Sequence, residues 1–450
     1  MPKPTDLRLL EVTTQTTQLA YRTPIKFGGR VVSDAVVFDV FIEAETRDGR
    51  RARGHGSMPM ANVWAWPAPP ALGDQTLQAM LGLAERCAQA AGRYRDLGHP
   101  LEITHTLAAD HPRLSAEALL AANLDVPMPR LAQLVASSPL EAAIHDVYGR
   151  ALGRNSYDVL GAEFVNRDIG AYLGPAYAGE YLDRYTLRAP KARLPLYHLV
   201  GAVDPLTPAD MAQPVGDGLP ETLGDWIAAD QLTHLKIKLN GDDLAWDIER
   251  VARVERVAVE AQRAGGVSTW HYSLDFNEKC ANVGYILDFL AGVRERSPSA
   301  LARVQYIEQP THRDLKAHPE NRMHEAAKIK PVVIDESLID LESLELAREL
   351  GYSGVALKTC KGHSEALLMG AAAQKHKLFL CVQDLTCPGY SFLHSASLAA
   401  RVPTVAAIEG NSRQYCPVGN VEMSRKFPGM FEPVGGTIST EELTGIGLGF

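Results

Sequence analysis

From residue 234 to residue 384 short apolar runs recur, and nearly every one ends on a charged side chain: HLKIKL, WHYSLDFN, RVQYIE, VVIDES, SGVALK and LFLCVQD. Lys238, Asp275, Glu308, Asp335, Lys358 and Asp384 mark those ends, at steps of 37, 33, 27, 23 and 26 residues. Each step is about the length of one strand, one crossover helix and two short loops. The repeat predicts a parallel sheet. A polar residue at the C-terminal end of nearly every strand further predicts a closed (β/α)8 barrel of TIM type, whose chemistry collects at that rim.

A barrel of this kind takes about 250 residues, so a chain of 450 has room for a second domain. Residues 1–190 read as an α+β unit. Leu7 to Thr14 and Ala35 to Ala44 are β-rich, and Asp48-Gly49 is a hairpin turn into RRARGHG. Helical periodicity covers 74–93 and 137–153, with Leu140, Ile144, Val147 and Leu152 on one face of the second helix. Two segments marked by Gly, Pro and aromatics, 23–29 and 54–70, read as loops, and 163–193 as an irregular insertion or linker. The barrel is expected over 191–416, from LPLYHLVG (194–201) to an eighth strand, TVAAIE (404–409). Within it 242–265 and 364–377 read as helices, the second capped by Ser364. The Gly-rich tail, 417–450, is expected to return to the N-terminal unit and complete it.

The net charge of −9 argues against a nucleic-acid or anionic-membrane partner, because both require a basic face. No apolar stretch approaches the ~18 residues of a membrane span. MPKPTDLRLLEVTT lacks the apolar core of a signal peptide. Six cysteines without zinc-like spacing read as reduced thiols. The expectation is a cytoplasmic, homo-oligomeric enzyme acting on a small molecule.

Alternate residues of a strand share a face, so Lys236 and Lys238 point the same way, as do Asp275 and Asn277 if that strand extends so far. Counting from 194, the lysine pair lies on strand two, Asp275 on three, Glu308 on four, Asp335 on five, Lys358 on six and Asp384 on seven. Three hard oxygen donors from neighbouring strands suit Mg2+, with Mn2+ as the alternative ion. Strands two and six face each other across an eight-stranded barrel, so Lys238 and Lys358 can reach opposite faces of one substrate. This set suits removal of the proton α to a carboxylate. A divalent cation stabilises the enediolate charge as it develops, and a lysine depressed toward neutrality by its neighbours is the base.

KIK, DFN, IEQP, IDES and LKTCKG, in this order, resemble the enolase superfamily. The similarity is greatest to the muconate-lactonizing subgroup, which includes dipeptide epimerases and o-succinylbenzoate synthases. The resemblance covers most of the chain and implies that the N-terminal unit is a capping domain with mobile loops at 23–29 and 54–70. It also implies Mg2+ on Asp275, Glu308 and Asp335, Lys238 and Lys358 as the acid/base pair, and Lys236 and Asn277 as supporting or substrate-carboxylate contacts. The reaction implied is racemisation or epimerisation through an enediolate. A lyase on the same site, a dehydratase or cycloisomerase of a carboxylic or sugar acid, is the alternative.

Strand eight reads IEGN, where Glu409 and Asn411 stand in place of the Asp-x-Asp of dipeptide epimerases. Asp384 is either a substrate contact or a lysine's ion-pair partner. Asp335-Glu336-Ser337 can also be read as a helix N-cap with first-turn acids, and for Glu336 and Ser337 that reading stands level with a role in the site. Lys361 and His363 are assigned to loop structure. Met58, Met60, Trp64 and Trp66 lie in a stretch with no charged residue from Ser57 to Pro70, which favours a neutral or apolar distal part of the substrate, with Glu336, Asp384, Glu409 and Trp64 around it. Outside this class remain a glycoside hydrolase using Glu308 and Glu336, which leaves the inward lysines without a role, and a non-catalytic barrel.

Overall fold

Eight parallel strands close on themselves in the computed structural model, which describes residues 2–27 and 30–450. They are β4 (Arg193–Val200), β5 (His234–Lys238), β6 (His271–Asp275), β7 (Val304–Glu308), β8 (Val332–Ile334), β9 (Gly354–Leu357), β10 (Phe379–Val382) and β11 (Val405–Glu409). β11 pairs with β4 to close the barrel. They follow β1 (Leu7–Phe27), β2 (Arg30–Thr46) and β3 (Arg51–Pro59), an antiparallel sheet with β2 in the centre. The expected barrel and its N-terminal cap are both present.

The barrel is a packed core. Tyr197, Tyr306, Val333, Ala356, Cys381 and Ala407 fill its interior, two tyrosines set against residues as small as alanine. The rings of Tyr197 and Tyr306 meet edge to face at 5.8 Å. Register then aligns the rim: Lys238 lies opposite Asp275, and Asp275 opposite Glu308.

The cap holds α1 (Asn62–Ala65), α2 (Gly73–Arg93), α3 (Pro100–Ala108), α4 (His111–Ala121) and α5 (Arg130–Leu152). α5 begins seven residues before the expected 137, because almost its whole length is buried and no single apolar stripe marks its start. It lies directly on β3, and glycines make that approach fit. A Cβ on Gly54 would stand 2.5 Å from the Val147 nitrogen, and one on Gly56 would stand 2.0 Å from the Pro139 carbonyl oxygen. The GHG of 54–56 is therefore a sheet–helix contact and not the beginning of a loop.

Both expected loops need this correction. Residues 23–27 continue β1, paired through Ile25 with Val32 after an irregularity, and Ile25 packs on Leu199 and Tyr415 at the barrel mouth. Positions 28 and 29 of that expected loop lie outside the described residues. Residues 54–59 finish β3, and only the stretch beyond forms turns around α1 and a short helix at Pro70–Leu72.

The tail contributes β12 (Thr437–Ser439), antiparallel to β4, and then reaches α5, where Arg150 bonds the Phe450 carbonyl and Asp146 accepts from Leu448. Ser364 is not a cap. The helix His363–Lys375 follows Gly362, at φ 99°, and the Ser364 hydroxyl instead bonds Thr104 and His145 across the cap–barrel seam. The six cysteines are unpaired and buried. Among the described residues no helix is long and apolar enough to cross a membrane.

Candidate active site

The strand ends deliver ten charged side chains to one buried volume at the barrel mouth. Asp275, Glu308, Asp335, Glu336, Asp384 and Glu409 meet Lys236, Lys238, Lys358 and Lys361, all of them buried. Lys236 is the hub: its Nζ lies 2.8 Å from Glu308, 2.9 Å from Glu409 and 3.1 Å from Asp275. Lys238 pairs with Asp275, while Lys358 (2.9 Å) and Lys361 (3.1 Å) share Asp335.

These pairings act strongly on two of the lysines, Lys358 and Lys236. Burial works against the Lys358 ammonium, but the Asp335 carboxylate more than offsets it and holds its pKa above the ordinary lysine range. Burial likewise opposes the charge on Lys236, and Glu308, Glu409 and Asp275 together raise its pKa well above normal.

Glu409, expected across the mouth for a substrate group, has its Oε2 on Lys236 and its Oε1 on the Asn411 side chain. Asp384 forms no ion pair with a lysine among the described residues. Its carboxylate accepts from the Cys387 nitrogen at 3.1 Å and less closely from Asn411, and its Oδ1 has no partner. Burial and the nearby Glu409 charge push its pKa up to about 7.

The N-cap reading of 335–337 fails, since the next helix starts at Leu341 on an Asp340 cap. Glu336 instead accepts from Trp64 Nε1 at 2.8 Å. Burial, then the Asp335 and Glu278 charges, raise Glu336 to about 7. Trp64 roofs the site, its ring centroid 4.5 Å from Lys358 Nζ and 5.7 Å from Lys361 Nζ. Met58 packs on Cys387, and Met60 and Trp66 are buried in the core around this turn. Asn277 does not share the Asp275 face: the strand stops at Asp275, and Asn277 turns into the left-handed region at φ 45°, where its N–H bonds Asp275 Oδ1.

Four further residues belong here. Lys361 was assigned to the loop, yet it sits three positions after Lys358 on a single 3-10 turn, a spacing that eclipses side chains and puts both on Asp335. Gln383 lies two residues beyond the inward-facing Cys381, so strand parity points it inward too, and its amide donates to Glu308. Gln309 stitches two strand ends together, accepting from the backbone of Asp335 and Ser337 at 2.9 and 3.1 Å. Arg313 is paired with Glu278 and donates to the Trp64 carbonyl at 3.0 Å; no local signal marks that contact.

The donor set fits a divalent cation in chemistry and in charge. Six carboxylates face four ammonium groups, two positive charges short, and burial with neighbouring negative charge raises Glu308, Glu336 and Asp384 above the ordinary carboxylate range. Glu336 Oε2 and Asp384 Oδ1 are buried without hydrogen-bond partners among the described residues. As the side chains stand, no group of three His, Cys, Asp or Glu among the described residues is spaced to enclose a metal; an ammonium bridges Asp275 and Glu308 in that role. Asp275, Glu308 and Asp335 are the oxygen donors that could exchange lysine for such an ion.

No curated protein sequence matches the chain. Solved structures do. A dipeptide epimerase from Enterococcus faecalis V583, complexed with Mg and the dipeptide L-Leu-L-Tyr, has a TM-score of 0.62 at 14% identity, covering 98% of this chain and 99% of that one. The L-Ala-D/L-Glu epimerase from Bacillus subtilis gives 0.63 at 18%, covering 98% of each. Muconate lactonizing enzyme from Pseudomonas fluorescens, complexed with muconolactone, gives 0.61 at 17%, covering 98% and 96%. At these identities the likeness establishes the fold. The family model described as "Enolase C-terminal domain-like" matches residues 219–450, more than half of the sequence and most of the barrel, and the chain belongs to the enolase superfamily.

Proposed function

We propose that the protein is a Mg2+-dependent racemase or epimerase that removes and returns the proton α to a carboxylate. The observation that carries this is the position of two lysines: Lys238 ends β5 and Lys358 follows β9, on opposite sides of a closed barrel, with Asp275, Glu308 and Asp335 along the arc between. Those three carboxylates would hold the ion, which would supply positive charge to the carboxylate oxygens of the substrate as negative charge builds there.

The chain's own residues do the rest. Lys238 Nζ takes the proton from one face and Lys358 Nζ gives one to the other, so the centre inverts. Lys236, held by Glu308 and Glu409, stays charged and fixes their orientation. Gln309 fixes the backbone that presents Asp335. Trp64, with Glu336 beneath its Nε1, excludes water from the Lys358 side.

One observation favours the lyase reading. Lys358 lies under the Trp64 ring, which stabilises an ammonium and suits a lysine that supports charge while Lys238 alone moves protons.

Uptake of α-deuterium from D2O separates the two. Pooled α-substituted carboxylates and dipeptides are incubated with enzyme and Mg2+ and read by mass spectrometry. Under the epimerase reading Lys238→Ala stops exchange from one stereoisomer and Lys358→Ala from the other. If one lysine governs both directions, the lyase reading replaces it; if neither matters, proton abstraction by this pair is refuted.

A further inference from the structure

At the seam between cap and barrel a cavity of about 330 Å3 opens among α3, α5 and the helix His363–Lys375. None of the charged residues at the barrel mouth lines it. Its walls are mostly apolar, with Leu134, Leu368 and Met369 among them, and the volume is that of a small-molecule site. Set into these walls are the guanidinium of Arg130 and the carboxylates of Glu141 and Glu365.

These opposite charges do not meet. Among the described residues Arg130 forms no ion pair, whereas Arg150 on the same helix holds Asp146 at 2.7 Å. Arg130 Nη1 donates instead to neutral acceptors, Gln133 at 3.5 Å and His111 Nδ1 at 3.2 Å, and burial pulls that imidazole down to about 4. Glu365, half-buried in the first turn of its helix, has neither a hydrogen bond nor an ion pair among the described residues. Glu141 is only 7% exposed; its Oε2 accepts from the Ser364 N–H at 3.0 Å, and its Oε1 accepts no hydrogen bond among the described residues. The Tyr172 hydroxyl, on the same lining, is likewise buried without a hydrogen-bond partner among them. Burial raises Glu141 to about 7, and burial with the Glu141 charge raises Glu365 to about 8, so a positive charge arriving beside them is favoured. A bare metal ion does not suit the place: no group of three His, Cys, Asp or Glu among the described residues could hold one, and it would leave the guanidinium without a counter-ion.

We infer that this cavity binds a free α-amino acid with an apolar side chain, at a site separate from the barrel mouth. The ammonium sits against Glu141 and Glu365, the carboxylate on the planar fork of Arg130, and the side chain on Leu134, Leu368 and Met369. A simple amine would satisfy the acids and leave Arg130 unpaired; a simple carboxylate would do the reverse. Only a ligand carrying both charges uses both sides of the cavity. The inference does not depend on the reaction proposed above.

Isothermal titration calorimetry on the full-length protein supplies the test. Three probes are compared: L-leucine, 3-methylbutylamine, which lacks its carboxylate, and 4-methylpentanoate, which lacks its ammonium. L-Leucine is expected to bind at least tenfold more tightly than either. Arg130→Met should bring L-leucine down to the level of the amine, and Glu365→Gln should weaken it at least fivefold. The variants are made separately and checked for folding by circular dichroism, and the comparison of the three probes needs neither. No binding of L-leucine, equal binding of the three probes, or an unaltered affinity in a folded variant each overturns the inference. Loss of L-leucine binding when Mg2+ is chelated places the amino acid at the barrel mouth and overturns it as well.

Discussion

Replacing Arg313 by alanine should cost about 3 kcal/mol of stability and open the roof of the site. The guanidinium lies 2.8 Å from Glu278 Oε2 through Nε and 2.6 Å from Oε1 through Nη2, with the two side chains only 15% and 13% exposed. Truncating one partner of a buried, bidentate pair leaves the other charge uncompensated, a loss of about 3–5 kcal/mol. The slight solvent access of this pair places the expected cost at the lower end. The same side chain donates to the Trp64 and Ala65 carbonyls, so the turn carrying Trp64 loses its tie to the barrel. Urea titrations followed by far-UV circular dichroism and by tryptophan fluorescence supply the measurement, and the two curves must coincide for a single free energy to apply. The decisive comparison is Glu278→Gln combined with Arg313→Met, which removes both charges and should cost clearly less than Arg313→Ala alone. A single variant within 1 kcal/mol of the wild type, or a double variant as unstable as the single, would refute the clamp.

Gly56→Ala places a methyl group 2.0 Å from the Pro139 carbonyl oxygen, a contact with backbone that cannot rotate away. A loss of more than about 3 kcal/mol is expected, read from the urea midpoint or as failure to accumulate soluble protein. Glu141 is buried, and burial raises its carboxyl to about 7, against the Ser364 N–H and the Arg130 charge. The folded protein then holds a proton that the unfolded chain releases near its ordinary carboxyl pKa of 4.5. This contribution to stability is complete below pH 4.5, falls as pH rises toward 7 and is gone above it, on the order of 3 kcal/mol in all. Glu141→Gln should flatten that part of the stability–pH curve, and an unaltered slope would count against the burial argument. Mg2+ at a hundredfold excess over its dissociation constant should add about 2.7 kcal/mol to stability, and Asp275→Asn should abolish most of the gain. The chelated protein should stay folded, because Lys236 already bridges Asp275 and Glu308.

The barrel was legible because its signals are local. Each run carries its own apolar interior, its own charged end and a helix-length spacing to the next, so no long-range information is needed to count strands. The cap was less so. The second half of β3, residues 54–59, falls within the expected loop because its glycines suggest flexibility, whereas each is required by a helix more than eighty residues away: Val147 faces Gly54 and Pro139 faces Gly56. The same cause hid the start of α5, whose interior position removes the polar face that would mark its beginning.

At the rim, strand parity says which side chains point inward and nothing about which of them meet. Lys236 was read as a supporting contact, yet three strands place Asp275, Glu308 and Glu409 around its ammonium, a pairing set by barrel closure between β11 and β4. Asn277 was misread for a different reason: parity holds only while the strand lasts, and backbone turning to positive φ at Asn277 and Glu278 ends it at the residue that matters most. Positive φ recurs at Gln309 and Thr386, beyond the ends of β7 and β10. Strained, non-glycine backbone at three strand ends of one rim costs about 1–3 kcal/mol at each such residue and persists only where surrounding contacts enforce it. For Gln309 those contacts are visible, since its side chain bonds Asp335, Ser337 and Thr311. The least readable residues in the sequence are therefore the ones that hold the readable carboxylates in place.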